Sequence, residues 1–304
     1  MADYAQVLKD FKSKHKYLVA IDSDGCAFDA MGIKQKECFC PWMIGCFGLQ
    51  PVAEAARECK EFADLFSKTR GANRHKTIVR ILTELLPSHP KVKESGFKVP
   101  QFEHYCNWVN NPDSLLSDDG LRAAVAKSSN PQEKAELEIA LNWSRKVNQA
   151  VTDIVKNVAP FKYVRDSLIK IVQKADVLVC SATPTEALER EWAEHGLKQF
   201  VKVIAGQEMG PKAYHLGIMT KNHYSFDNVL MIGDALGDLN AAKKNDCHFY
   251  PINPGGETKS WKKFHDEAFD KFIDGTYAGS YEAALADEFD ACLPDSPPWE
   301  NQRK

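Results

Sequence analysis

The sequence predicts an α/β protein: a doubly wound parallel sheet with a long all-helical segment inserted into it. Three observations lead there. After residue 160, short apolar runs alternate with amphipathic helical patterns, the alternation that builds a parallel sheet with right-handed crossovers. A single further apolar run, Tyr17–Ile21, stands far upstream. Between about residues 34 and 159, apolar residues recur at three- and four-residue intervals with no convincing strand. At 304 residues the chain has room for two ordinary domains.

Taken in order, residues 1–15 read as an amphipathic helix, with Tyr4, Val7, Leu8 and Phe11 at helical spacing. Tyr17-Leu18-Val19-Ala20-Ile21 reads as an interior strand, and it ends in Asp22-Ser23-Asp24-Gly25-Cys26. Asp is a poor strand residue, so two of them at a strand's carboxyl end suggest a site. Period-two alternation puts Asp22 and Asp24 nominally on one side, where like charges repel unless a cation separates them or one holds a proton. Gly25 lets the chain turn away sharply, with residues 27–32 leading outward as a short extended arm.

The insert carries helical patterns around 52–67, 75–86, 101–109, 117–127 and 131–156, separated by Gly71, Pro87-Ser88-His89-Pro90, Asn110-Asn111-Pro112 and Asn130-Pro131. Beyond Pro160, a helix over 164–174 precedes a strand, Ala175–Cys180, which ends in Ser181. A helix over 184–195 is bounded by Pro184 and Gly196. Strands follow over 200–206, 228–234 and 247–252. Gly210-Pro211-Lys212 opens a helix between the first two of these, and a short helix precedes the last. The tail from 255 holds two helical stretches and ends in Pro294-Asp295-Ser296-Pro297-Pro298-Trp299, expected to be loose or wrapped over the surface. The expected division is therefore 1–33 with 160–304 as an α/β core with a C-terminal helical extension, and 34–159 as a helical domain.

Composition narrows the function classes. Hydrophobic residues at 44% and charged residues at 27% are those of a globular protein. A formal net charge of −3 gives no global basic field for nucleic acid, and no apolar run approaches membrane-spanning length. The start Met-Ala-Asp-Tyr-Ala-Gln lacks the basic and apolar regions of a signal peptide, so a cytoplasmic setting is expected. Nine cysteines, an odd number, fit free thiols in a reducing compartment. Cys38, Cys40 and Cys46 cluster, but no matching second pair or finger-spaced histidines follow, so a zinc site is not expected.

Three strand ends carry Asp22/Asp24, Ser181 and Asp234, and in an open parallel sheet all such ends meet on one edge. Lys212 and Asp238 join them. Singly, each has an ordinary reading: a strand-end or helix-cap hydroxyl for Ser181, a surface lysine for Lys212, a helix start for Asp234 and Asp238. Together, Asp22-Ser23-Asp24-Gly25, Ser181, Lys212 and Gly233-Asp234-Ala235-Leu236-Gly237-Asp238 resemble, in order, the four motifs of the haloacid dehalogenase superfamily. The match lies in about 15–30 and 160–255. The insertion point, between the first and second motifs, resembles that of the superfamily's phosphatases with a helical cap, of the phosphoglycolate phosphatase and beta-phosphoglucomutase type.

The resemblance implies a Rossmann-like core and a site with assigned roles. Asp22 would be the nucleophile that forms an aspartyl-phosphate, and Asp24 the general acid and base. Ser181 and Lys212 would hold phosphoryl oxygens. Mg2+ would be bound by Asp22, Asp24 (through its backbone carbonyl), Asp234 and Asp238, the last as an outer or water-mediated ligand. Asp at position 24 argues for a phosphate ester, since dehalogenases and phosphonate hydrolases need no acid for an alkoxide. Cys26 departs from the family, where threonine or a branched apolar residue usually follows the glycine.

The implied activity is hydrolysis of a small phosphorylated metabolite by a monomer or homodimer. Phosphomutase activity and a non-catalytic binding role are the alternatives. Lys68-Thr69-Arg70-Gly71-Ala72-Asn73-Arg74-His75-Lys76 places cations at a helix start, against the macrodipole, so Arg70 or Arg74 is a candidate contact for an anionic leaving group. A solvated basic turn is the plainer reading. Trp42, Phe47, Trp108 and Trp143 are expected in the core of the insert.

Overall fold

A computed structural model of the chain describes residues 5–300. It divides into two compact units, residues 1–31 with 157–293 and residues 32–156 with 294–304.

The first unit is built on a five-stranded, all-parallel sheet in the order β3-β2-β1-β4-β5. The strands are β1 (Tyr17–Ile21), β2 (Ala175–Cys180), β3 (Val203–Ala205), β4 (Val229–Gly233) and β5 (His248–Pro251). The strand order reverses beside β1, which pairs Ile21 with Val179 on one side and Ile232 on the other. Such a switch point opens a crevice at the carboxyl ends of the strands. Both faces are covered. Leu18, Ala20, Leu178, Cys180, Val229 and Met231 pack on one side with Leu216, Met219 and Phe249, while the alternate residues Val19, Ile21, Val177 and Val179 are equally buried. Continuous apolar runs, rather than alternating ones, are what a doubly covered parallel sheet demands.

The expected helix over 1–15 is shorter, Gln6–Lys9; Tyr4 lies outside the described residues. The cause lies downstream. The Lys14 and His15 amides donate to the Asp176 carboxylate at 2.8 and 3.0 Å, which takes them out of any helical ladder. Asp176 also accepts from Tyr224 Oη at 2.7 Å and pairs with Lys202 at 2.8 Å. Burial pushes this carboxyl up, but those donors outweigh it and hold it below its ordinary value. The third strand is cut to Val203–Ala205 because Lys198–Phe200 winds into a tight helical turn. The arm expected over 27–32 stops early. Phe28 makes a bridge to Pro160, and helix begins at Ala30.

The second unit is helical throughout. Its longest helix, Pro131–Ile154, starts with proline at the first position and the Asn130 side chain capping the Gln132 and Glu133 amides. Trp143, Phe47 and Tyr105 form the centre of its core, joined by Phe39, Leu137 and Leu141. Trp42 instead lies at the surface with Lys146 over its ring, and Trp108 is only partly buried. Two helices widen to π geometry, at Lys34–Phe39 and Ile81–Leu85. In each, a proline follows (Pro41, Pro87) whose missing N–H and ring displace the carbonyl four residues back, at Glu37 and Thr83, inside the widened turn.

The terminal segment, expected with the α/β core, belongs to the helical unit. Trp299 is buried against His89 and Phe62, with ring centroids 4.7 and 5.7 Å away, and Arg80 donates to the Asp295 carbonyl at 2.7 Å. Among the described residues no helix is long and apolar enough to cross a membrane.

Two stability predictions follow from these contacts. Trp299→Ala should lower stability by about 3 kcal/mol in urea denaturation, whereas a tail trailing in solvent would leave the midpoint unmoved. Asp176→Asn should cost about 1–3 kcal/mol at pH 7. Because the native carboxyl is held below its ordinary value, its contribution is complete above about pH 4 and is lost as pH falls through the native pKa. The deficit of the variant should therefore shrink in acid.

Candidate active site

Asp22 stands one residue beyond β1, its amide donating to the Ile232 carbonyl at 3.0 Å, so the strand pairing itself sets the position of its side chain. One carboxylate oxygen accepts from the Ser23 amide at 2.8 Å; the other meets the Lys212 ammonium at 2.8 Å. The chain then turns at once. Gly25 adopts φ +77°, a left-handed conformation that side chains resist, and its amide donates to the Phe28 carbonyl at 2.8 Å. Ser23 is fully buried in this turn. Its hydroxyl donates to Glu191 at 2.9 Å and accepts from the Trp192 indole N–H at 3.0 Å.

The turn sends the two acids to different partners. Asp24 is half-buried and accepts from the Thr183 hydroxyl at 2.7 Å. Asp22 lies with Asp234 and Asp238 in a buried cluster whose carboxylate oxygens come within 4.8 Å of one another. The Asp24 side chain, expected nominally on the same side as Asp22, is not part of that cluster. A left-handed glycine directly after it ends strand geometry, so period-two alternation no longer applies.

Lys212 opens the helix Lys212–Asn222, and its ammonium lies between Asp22 and Asp238, at 2.8 and 2.5 Å. Burial pulls this lysine down, but the two carboxylates overcome it and hold the group well above its ordinary value, fully protonated. Asp234 follows β4 and is completely buried. Asp238 sits in the first turn of Leu236–Lys244 and accepts from the Ala235 amide at 3.2 Å, which caps the helix start. Burial pushes its carboxyl up to about 6, opposed by Lys212 and reinforced by Asp22. Gly233 makes this fit possible: a Cβ there would lie 2.3 Å from the Asp238 side chain. Ser181, buried at the end of β2, donates its amide to the Ala205 carbonyl and accepts from the Thr183 amide at 3.3 Å.

The α/β unit thus brings together Asp22, Asp24, Ser181, Lys212, Asp234 and Asp238. Arg70 and Arg74 are in the helical unit. Arg70 donates to the Leu65 carbonyl at 2.9 Å. Arg74 donates to Ser144 Oγ and Asn148 Oδ1 at 3.1 and 2.8 Å and packs over the Phe39 ring. Cys26 is buried with its thiol pushed well up, by burial and then by Asp234, Asp22 and Asp238, so it fills space beneath the cluster. Cys38 and Cys40 are buried in the helical core, their thiols likewise raised by burial, and Cys46 accepts from Asn142. All nine cysteines are free. Sequence reasoning missed Thr183, Glu191 and Trp192; only the hydroxyl two places after Ser181 offered a signal.

Residues 114–252 match the family model described as haloacid dehalogenase-like hydrolase. That span holds Ser181, Lys212, Asp234 and Asp238, while Asp22 and Asp24 join them through the fold. No curated protein matches the chain at a significant level. Solved structures with a similar fold include a predicted phosphoglycolate phosphatase from Haemophilus somnus (11% identity, 77% of this chain and 84% of that one, TM-score 0.47). Others are a haloacid dehalogenase-like family hydrolase from Streptococcus pneumoniae (12%, 81% and 90%, 0.40) and an inferred HAD-hydrolase from Bacillus subtilis bound to magnesium (14%, 81% and 92%, 0.40).

The close approach at Gly233 has a direct test. Gly233→Ala should destabilise the fold by about 1–3 kcal/mol through overpacking against Asp238. Gly237→Ala, where a Cβ meets nothing within 4 Å, is the matched control and should be neutral or better in the same thermal unfolding assay.

Proposed function

We propose that the chain is a haloacid dehalogenase-like hydrolase, the family whose model matches residues 114–252, and more specifically a Mg2+-dependent phosphatase that hydrolyses a small phosphate monoester through an aspartyl-phosphate on Asp22. The observation that carries the reading is the division of labour at the first turn. Asp22 is locked to Lys212 beside two further carboxylates, while Asp24, two residues on, is held apart by Thr183. One acid thereby faces an ammonium as the nucleophile, and the other accepts from a hydroxyl as the general acid and base.

The donor set fits Mg2+. Asp22, Asp234 and Asp238 offer hard oxygen ligands with no sulfur or imidazole among them. Three carboxylates against one ammonium leave an excess of two negative charges, which a divalent cation offsets. Bound there, Mg2+ would neutralise charge between the nucleophile and the phosphoryl group.

The remaining steps fall to the chain's own residues. A carboxylate needs no deprotonation at neutral pH, so Asp22 attacks phosphorus directly once repulsion is relieved. Asp24 gives its proton to the departing alkoxide, then takes one from the water that cleaves the acyl phosphate, which restores both acids. The Lys212 ammonium and the Ser181 hydroxyl hold the phosphoryl oxygens, and the lysine's charge offsets what accumulates on them in the transition state.

The test is phosphate release from a panel of small phosphate esters with and without Mg2+, beside Asp22→Asn. Turnover should require Mg2+ and fall by about 10⁴-fold or more in the variant. Incubation with acetyl phosphate should label the wild type at Asp22. Absence of both turnover and label in the presence of Mg2+ would refute the assignment.

A further inference from the structure

We infer that Thr183 is the positioning residue for Asp24, holding its carboxyl in the orientation from which it protonates the leaving group. The inference rests on the phosphatase reading and adds to it a residue outside the motif set.

The geometry is specific. Thr183 Oγ1 donates to Asp24 Oδ2 at 2.7 Å, across 159 residues of sequence. The hydroxyl is itself a fixed point. The Thr183 amide donates to Ser181 Oγ at 3.3 Å, and its carbonyl accepts from the Gln207 amide at 3.1 Å. Two residues on, the Thr185 amide and hydroxyl both donate to the Glu208 carboxylate, at 2.9 and 2.8 Å. The turn after β2 is therefore tied at both ends to the segment after β3. A β-branched side chain with few rotamers, mounted on that turn, presents its hydroxyl in one direction. From the other side, Ser23 is gripped by Glu191 and Trp192, so the backbone that carries Asp24 is also held.

A general acid acts only within hydrogen-bond reach of the atom that it protonates. A carboxylate on a turn has two free torsions, and a hydrogen bond to one oxygen fixes the plane in which the other can act. Asp22 is oriented by Lys212 and its neighbouring amide; Thr183 does the corresponding work for Asp24.

Leaving-group dependence separates this role from a merely structural one. The value of kcat/KM reports only the steps through departure of the alcohol. p-Nitrophenolate departs without a proton, whereas phenolate leaves far better with one. Thr183→Val should lower kcat/KM for phenyl phosphate by about 10- to 100-fold, with a fall of less than about 3-fold for p-nitrophenyl phosphate. Thr183→Ser, which keeps the donor, should restore both. Equal losses on the two esters, or none, would overturn the inference. Crystal structures of wild type and Thr183→Val give a readout free of turnover: the Asp24 carboxyl should leave its position in the variant. If it stays, Thr183 does not position it, whether or not the protein proves to be a phosphatase. If wild type turns over neither ester and takes no label from acetyl phosphate, the phosphatase reading fails instead.

Discussion

Everything at the sheet's carboxyl edge depends on one ammonium group. Asp22, Asp234 and Asp238 are buried together, and three carboxylates in so small a space could not all stay ionised in a dry interior without a cation. Lys212 supplies the positive charge that the chain itself provides, touching two of the three. Its position follows from topology. The connection from β3 to β4 has to pass from one side of β1 to the other, and the helix that opens with Lys212 lies on that crossover. The lysine is therefore delivered over the end of the central strand by the same reversal of strand order that opens the crevice.

Around that charge, two turns do the finer placing. The one after β1 is made by a left-handed glycine and held by a buried serine; the one after β2 is held by hydroxyls and by Glu208. Between them they send the acids of a single four-residue turn into different surroundings. One meets the Lys212 ammonium, and the other accepts from the Thr183 hydroxyl. Two chemically identical side chains thereby acquire different partners, a division that neither residue type nor spacing could encode by itself.

The helical unit shows a related economy. Two of its prolines, Pro41 and Pro87, do not end the helices they lie in: each follows a widened turn that accommodates the displaced carbonyl. Its last side chain of consequence, Trp299, comes from the far end of the chain, which makes the unit two separate stretches of sequence rather than a simple insert.

The sequence by itself determined the strand and helix alternation, the five strands to within a few residues at their ends, the helical character of the insert, and the residue types gathered at the sheet edge. These depend on burial of local apolar runs, and burial leaves a period that a reader can count. It also carried Asp22, Ser181, Lys212, Asp234 and Asp238, because strand ends in a parallel sheet share one edge whatever the loops do. What only the tertiary structure decided is which acid faces which partner. Thr183 and Asp24, Ser23 and Trp192, Lys14 and Asp176, and Trp299 and His89 are all far apart in sequence. A hydrogen bond or ring contact across such a span leaves no periodicity on either segment. It exists only once packing has closed the distance.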